Sequence, residues 1–153
     1  MQPRVLLAGL AMPESPRWHD GRLWFSNWGT RQIVAVDLDG TSDVVGEGPD
    51  GFGWATNWLP DGRMLVTGPE LIRVEADGSR IPHADLGHIS SFGWSEITVD
   101  GRGNVYVNTI NFDFADSTRC SEPGEHPARS RSSRRTARPA RWRTSSPSRT
   151  AWW

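Results

Sequence analysis

The chain has 153 residues with 17 basic and 18 acidic side chains, nine Trp and one Cys, a length that suits one ordinary domain with a core of its own. The near-neutral total hides two halves, since residues 1–116 carry 8 Arg against 16 Asp and Glu, whereas residues 117–153 carry 9 Arg against 2. The lone Cys120 excludes an internal disulfide framework and fits a reducing, cytoplasmic setting.

From the N-terminus, the first apolar run is VLLAGLAM (Val5 to Met12). It is too short to span a membrane. With one Arg before it and PESPRW directly after, it is also a poor signal-peptide core. It reads as the opening strand and loop of the domain.

Three segments then align: SPRWHDGRLWFSN, NWLPDGRMLVTG and ITVDGRGNVYVN. Their Asp-Gly pairs, Asp20-Gly21, Asp61-Gly62 and Asp100-Gly101, are spaced by 41 and 39 residues. Each pair follows one strand-like run and precedes another, at Arg22–Ser26, Arg63–Thr67 and Asn104–Asn108. Asp-Gly between apolar runs is a strong hairpin signal, because Gly tolerates the positive φ that tight turns need.

A second pair, Asp39-Gly40 and Asp77-Gly78, follows the β-rich runs Ile33–Leu38 and Leu71–Glu75. Each unit of about forty residues therefore offers several short antiparallel strands, which predicts an all-β chain built of propeller-like blades, with an unrelated sandwich as the alternative. Trp18, Trp24, Trp28, Trp54, Trp58 and Trp94 fit either as packers between blades or as sugar-facing rings, with packing the expected use of most.

The wording of two segments carries a resemblance. AMPESPRWHDGRLWFSNW resembles the first blade, and WSEITVDGRGNVYVNTINFDF a third-blade segment, of the senescence-marker-protein/gluconolactonase (regucalcin-like) family. The resemblance covers residues 4 to about 116. It implies the N-terminal part of a six-bladed β-propeller, about three blades, occupying residues 1–116. It also implies one divalent metal (Ca²⁺, Zn²⁺, Mn²⁺ or Mg²⁺) on the propeller axis and hydrolysis of a small-molecule lactone or related ester.

Of three family metal ligands only the first maps here, onto Glu14; its carboxylate suits such ions, and it reads otherwise as a turn residue beside Pro13 and Pro16. Where the family has an Asn-Asp pair contacting substrate, this chain has Ser95-Glu96. The resemblance thus makes Glu96 and Asp113 candidate catalytic carboxylates and Ser95 and Asn111 candidate substrate contacts. Asn111 and Asp113 also read as loop residues satisfying their own backbone. In such a site the metal polarises the lactone carbonyl and activates water, with a carboxylate as general base. His19, His83 and His88 lack metal-ligand spacing and read as surface residues. No Gly-Xaa-Ser-Xaa-Gly elbow occurs, so a serine nucleophile has no support.

Residues 117–153 contain no Val, Ile, Leu, Met, Phe or Tyr. Three readings compete for this tail. It is a basic arm for nucleic acid, a disordered low-complexity extension, or coding sequence read out of frame. The third is the one expected. With permitted codon choices, Arg134 to Trp153 read two bases along gives PDGTARAVADELAVPNGMV, which holds an Asp-Gly turn, period-two alternation and an Asn-Gly-Met element like that of the family's second metal ligand. The expectation is therefore a truncated lactonase-type chain, inactive as it stands, with neither nucleic acid nor membrane as partner. A non-catalytic propeller scaffold is the competing class.

Overall fold

The computed structural model describes residues 2–109. Asn111, Asp113 and the Arg-rich tail lie outside the described residues. Within them the chain is all-β and antiparallel. The first sheet is a meander of β1 (Pro13–His19), β2 (Arg22–Asn27), β3 (Gln32–Val36) and β4 (Ser42–Glu47), with a single 3₁₀ turn at Trp28–Thr30 between its second and third strands. The second repeats that order with β5 (Thr56–Trp58), β6 (Met64–Val66), β7 (Leu71–Val74) and β8 (Arg80–Ala84). A third pair, β9 (Ile97–Val99) and β10 (Val105–Val107), opens in the same way.

Every Asp-Gly pair sits in a connection between consecutive strands, as the sequence predicts. The turns are nonetheless of different kinds. Asp20 and Gly21 have φ of 47° and 76° and join His19 to its register partner Arg22, the two-residue geometry whose twist matches that of the strands. Asp61-Gly62 ends a three-residue loop, with the Gly62 amide donating to the Leu59 carbonyl at 2.9 Å and the Arg63 amide to Asp61 Oδ1 at 3.1 Å. The Asp39 and Asp77 turns share that pattern. Asp100 instead precedes its loop, its carbonyl accepting from the Gly103 amide at 2.9 Å. The dipeptide marks the β1–β2, β3–β4, β5–β6, β7–β8 and β9–β10 hairpins at different positions in the turn, while the β2–β3 and β6–β7 connections lack it.

The sheets stack face to face because their central strands are apolar on both sides. Along β3, Ile33 and Ala35 alternate with Val34 and Val36, and all four are buried. Ile33 joins Trp54, just before β5, and Val66 of β6, with Trp24, Trp28, Met64 and Val74 packed around them. On its other side the second sheet sends Leu65 and Leu71 against Ile97, Val105 and Val107 of the third. Fully burying a side chain such as Ile33, which is 0% exposed, contributes about 1.5–3 kcal/mol.

The N-terminal run corrects the expectation of an opening strand. It forms no strand; Leu6, Leu7 and Leu10 pack on Phe25, Val34 and Val36, covering the face of the first sheet turned away from the second. Side-chain burial rather than pairing holds it. Its end is pinned by the Ala11 amide donating to the buried Asn27 Oδ1 at 2.9 Å and by the Gly29 amide donating to the Ala11 carbonyl at 2.8 Å. β1, with Pro13 and Pro16, lies at a sheet edge, the position where a missing N–H is tolerated.

Candidate functional site

The first strands of the three sheets converge, β1 touching β5 and β5 touching β9. A polar cluster forms there. Arg17 on β1 reaches across to Glu96, which immediately precedes β9, with an N–O distance of 2.6 Å, and its guanidinium also donates to the Ile97 carbonyl at 3.0 Å. Ser15 donates its hydroxyl to the other Glu96 oxygen. Asn57 on β5 donates to the same Ile97 carbonyl at 3.3 Å, and the Glu96 amide donates to Asn108 Oδ1 at 2.9 Å.

Local backbone geometry builds this cluster. A bulge separates Glu14 from Arg17 in the β1–β2 register, and within it Ser15 is 3% exposed with φ 54°. A non-Gly residue in the left-handed region costs free energy, here compensated by the bond to Glu96. Such bulges re-aim neighbouring side chains. The bulge leaves Ser15 buried while Glu14, beside it, is exposed.

Both Glu96 oxygens are thus taken by donors from β1, so the carboxylate is engaged in holding two sheets together. The Glu14 carboxylate, by contrast, makes no hydrogen bond or ion pair with the described residues, although its backbone pairs with Ser26 in the β1–β2 ladder. Among those residues no three His, Cys, Asp or Glu side chains gather to hold an ion. The described residues therefore offer Glu14 as a single donor and do not by themselves form the metal site that the resemblance implies. Asn111 and Asp113 lie outside the described residues.

Ser95 is half-buried and lines a cavity of about 260 Å³ together with Asp50, Phe52, Ser91, Phe92 and Trp94. Its amide donates to the Asn108 carbonyl at 2.9 Å, and its own carbonyl accepts from the buried Thr67 hydroxyl. A neighbouring cavity of about 450 Å³ shares Pro69, Ser91 and Trp94 with it. The structure thus sets Ser95 and Glu96 to different tasks, one in a cavity wall and the other in an inter-sheet ion pair.

Of the histidines, His88 is exposed as expected. His19 is not a simple surface residue: its ring stacks on Trp58 at 3.9 Å and meets Trp24 edge-on at 6.0 Å, joining the first two sheets. His83 is half-buried, and that burial, with Arg73 and Arg63 nearby, lowers its pKa. The tryptophans are mostly packers: Trp54 and Trp94 are buried, Trp24, Trp28 and Trp58 half-buried, and Trp18 exposed.

Arg17, Asn57, Phe52 and Phe92 were not singled out by the sequence. Arg17 lies in PESPRW and Asn57 opens the second aligned segment, whereas nothing in the sequence marks Phe52 or Phe92. No protein-family model matches the chain, and no curated protein matches it significantly. Among the described residues no helix is long and apolar enough to cross a membrane.

Proposed function

We propose that the described sheets are the first blades of a six-bladed, lactonase-type propeller, and that the complete fold hydrolyses a sugar lactone with a divalent metal. The observation that carries this reading is the repetition of one antiparallel meander, β1 to β4 then β5 to β8, with the first strands of successive sheets in contact. That is the arrangement by which radially repeated sheets cover one another. The PESPRW resemblance supplies the chemistry, with Glu14 as one metal donor and the others outside the described residues.

On this reading the 153-residue chain holds one of three donors and has negligible lactonase activity. Residues 117–153 are the product of a displaced frame, and the protein is cytoplasmic. The nucleotide sequence across codons 113–153 tests the frame: a continuation that encodes further Asp-Gly hairpins and Asn-Gly-Met supports it, and its absence removes it.

A non-catalytic scaffold is favoured by one specific observation, the capture of both Glu96 oxygens by Ser15 and Arg17. Full stability of the frame-restored protein without added metal, together with no hydrolysis of gluconolactone, selects that alternative.

A further inference from the structure

The chain holds six Asp-Gly pairs, and folding treats their side chains in two ways. In four of them the carboxylate caps its own turn by accepting from the main-chain amide two residues on. Asp39 accepts from Thr41 at 2.9 Å, Asp61 from Arg63 at 3.1 Å, Asp77 from Ser79 at 2.9 Å and Asp100 from Arg102 at 2.9 Å. The Arg63 guanidinium adds a bond to Asp61, and the Asn104 side chain one to Asp100. Three of the glycine amides are engaged as well, Gly40, Gly62 and Gly78 donating to the carbonyls of Asp37, Leu59 and Glu75.

Asp20-Gly21 and Asp50-Gly51 are built differently. Their carboxylates are 86% and 88% exposed and cap no turn among the described residues. Asp20 has His19 Nε2 nearby at 3.5 Å, too long for a good hydrogen bond. One Asp50 oxygen lies 2.6 Å from Arg31, but that guanidinium is 42% exposed and shared with Glu47 at 2.9 Å, so water screens the contact. Neither the Gly21 nor the Gly51 amide donates to a described residue. A Cβ at either glycine would meet nothing within 4 Å, so these peptide planes have room to turn.

We infer that Asp20 and Asp50 are sites of spontaneous conversion to isoaspartate, from which the fold shields the other four Asp-Gly pairs. The glycine amide nitrogen bonds to the aspartate Cγ. Its hydrogen leaves with the hydroxyl of the neutral carboxyl group as water, closing a five-membered succinimide. Water then re-enters. Cleaving the new N–Cγ bond restores aspartate, whereas cleaving the bond from that nitrogen to the main-chain carbonyl carbon leaves the chain running through the side-chain carbonyl. One water is lost and one regained, so no oxidant or other co-reactant is needed. Glycine permits the attack because no side chain crowds its nitrogen. In the shielded four a turn bond must break first. Their donors, foremost the Thr41 amide, the Arg63 side chain, Ser79 and the Asn104 side chain respectively, also hold the carboxyls below their ordinary pKa, against the neutral form that reacts. At Asp20 the product inserts a main-chain carbon between His19, which stacks on Trp58, and Arg22, which pairs with Asp37 and Asp43. The inference holds whatever reaction the complete fold performs.

The test is incubation of the full 153-residue chain at physiological temperature and mildly acidic pH, native and in urea. Isoaspartate is located by electron-transfer fragmentation of the derived peptides and totalled with an isoaspartate-specific carboxyl methyltransferase. In the native chain Asp20 and Asp50 are each expected to convert at least about tenfold faster than any of the other four, the ratio for a turn that must first lose one or two hydrogen bonds. In urea all six rates converge, since each aspartate is followed by glycine. Asp20→Glu and Asp50→Glu together, which would require a six-membered ring, remove most methyl acceptance from the native protein. The native-to-urea contrast in the parent chain needs no variant, so it stands if the double variant fails to fold. Similar native rates at all six pairs, silence at Asp20 or at Asp50, or conversion at a capped pair as fast as at those two overturns the inference.

Discussion

The guanidinium of Arg17 lies 2.6 Å from the carboxylate of Glu96, 79 residues away in sequence, and the pair joins the first strand of the first sheet to the entry of the third. The two side chains are 25% and 47% exposed, so water screens much of their attraction. A double-mutant cycle with Arg17→Ala and Glu96→Ala, read by urea unfolding, is expected to give a coupling of about 0.5–1 kcal/mol, toward the top of the range for exposed pairs. Additive effects would show that the pair contributes nothing to sheet docking.

Ile33 tests the stacking itself. Its side chain is 0% exposed and bridges the first two sheets through Trp54 and Val66. Ile33→Ala is expected to destabilise by about 2–5 kcal/mol and Ile33→Val by about 0.5–1.5 kcal/mol. A loss under that lower range for the Ala variant, measured by chemical denaturation, would mean that the sheets do not pack through this residue.

Thr56 points the other way. It is 0% exposed, and its hydroxyl finds no hydrogen-bond partner among the described residues. An unsatisfied buried hydroxyl costs about 1–3 kcal/mol. Thr56→Val removes that group at similar volume and is expected to raise the melting temperature by a few degrees. A lower melting temperature would show that the hydroxyl has a partner in solution.

The hairpin turns predict a pH dependence. The Asp39 carboxyl is held below its ordinary value chiefly by the Thr41 amide, Asp61 by the Arg63 side chain, Asp77 by Ser79 and Asp100 by the Asn104 side chain. In each case the folded pKa is below the unfolded one, so the folded state favours the charged form. Their stabilisation is complete above the unfolded value of about 3.9 and is lost as pH falls through the folded pKa values. Denaturation midpoints should therefore decline from about pH 4 downward, and less steeply when Asp39, Asp61, Asp77 and Asp100 are all replaced by Asn. Parallel slopes for parent and variant would contradict this.

The hairpins were legible because their causes are local. Asp-Gly needs only its own backbone freedom and a nearby amide, so the starts of β2, β6 and β10 fell within a residue of the sequence reading. The outer strands β4 (SDVVGE) and β8 (RIPHA) were not singled out, since mostly exposed strands carry little apolar alternation. VLLAGLAM read as a strand because an apolar run does not reveal whether it buries by pairing or by covering a face. The candidate site was the least legible part. Ser15, Arg17 and Glu96 form one cluster only because folding brings the two ends of the described chain together, and the occupation of the Glu96 oxygens has no sequence signature. The stacking of His19 on Trp58 is hidden for the same reason.

The proposed function is that these sheets open a metal-dependent lactone hydrolase. It is tested most directly by following gluconolactone hydrolysis with added Ca²⁺, Zn²⁺, Mn²⁺ or Mg²⁺, using the 153-residue chain, its frame-restored counterpart and the Glu14→Ala variant of the latter. The account predicts hydrolysis above the spontaneous rate by the frame-restored protein alone, abolished by chelation and by Glu14→Ala. Rapid metal-dependent hydrolysis by the 153-residue chain itself, or an inactive frame-restored protein, would contradict it.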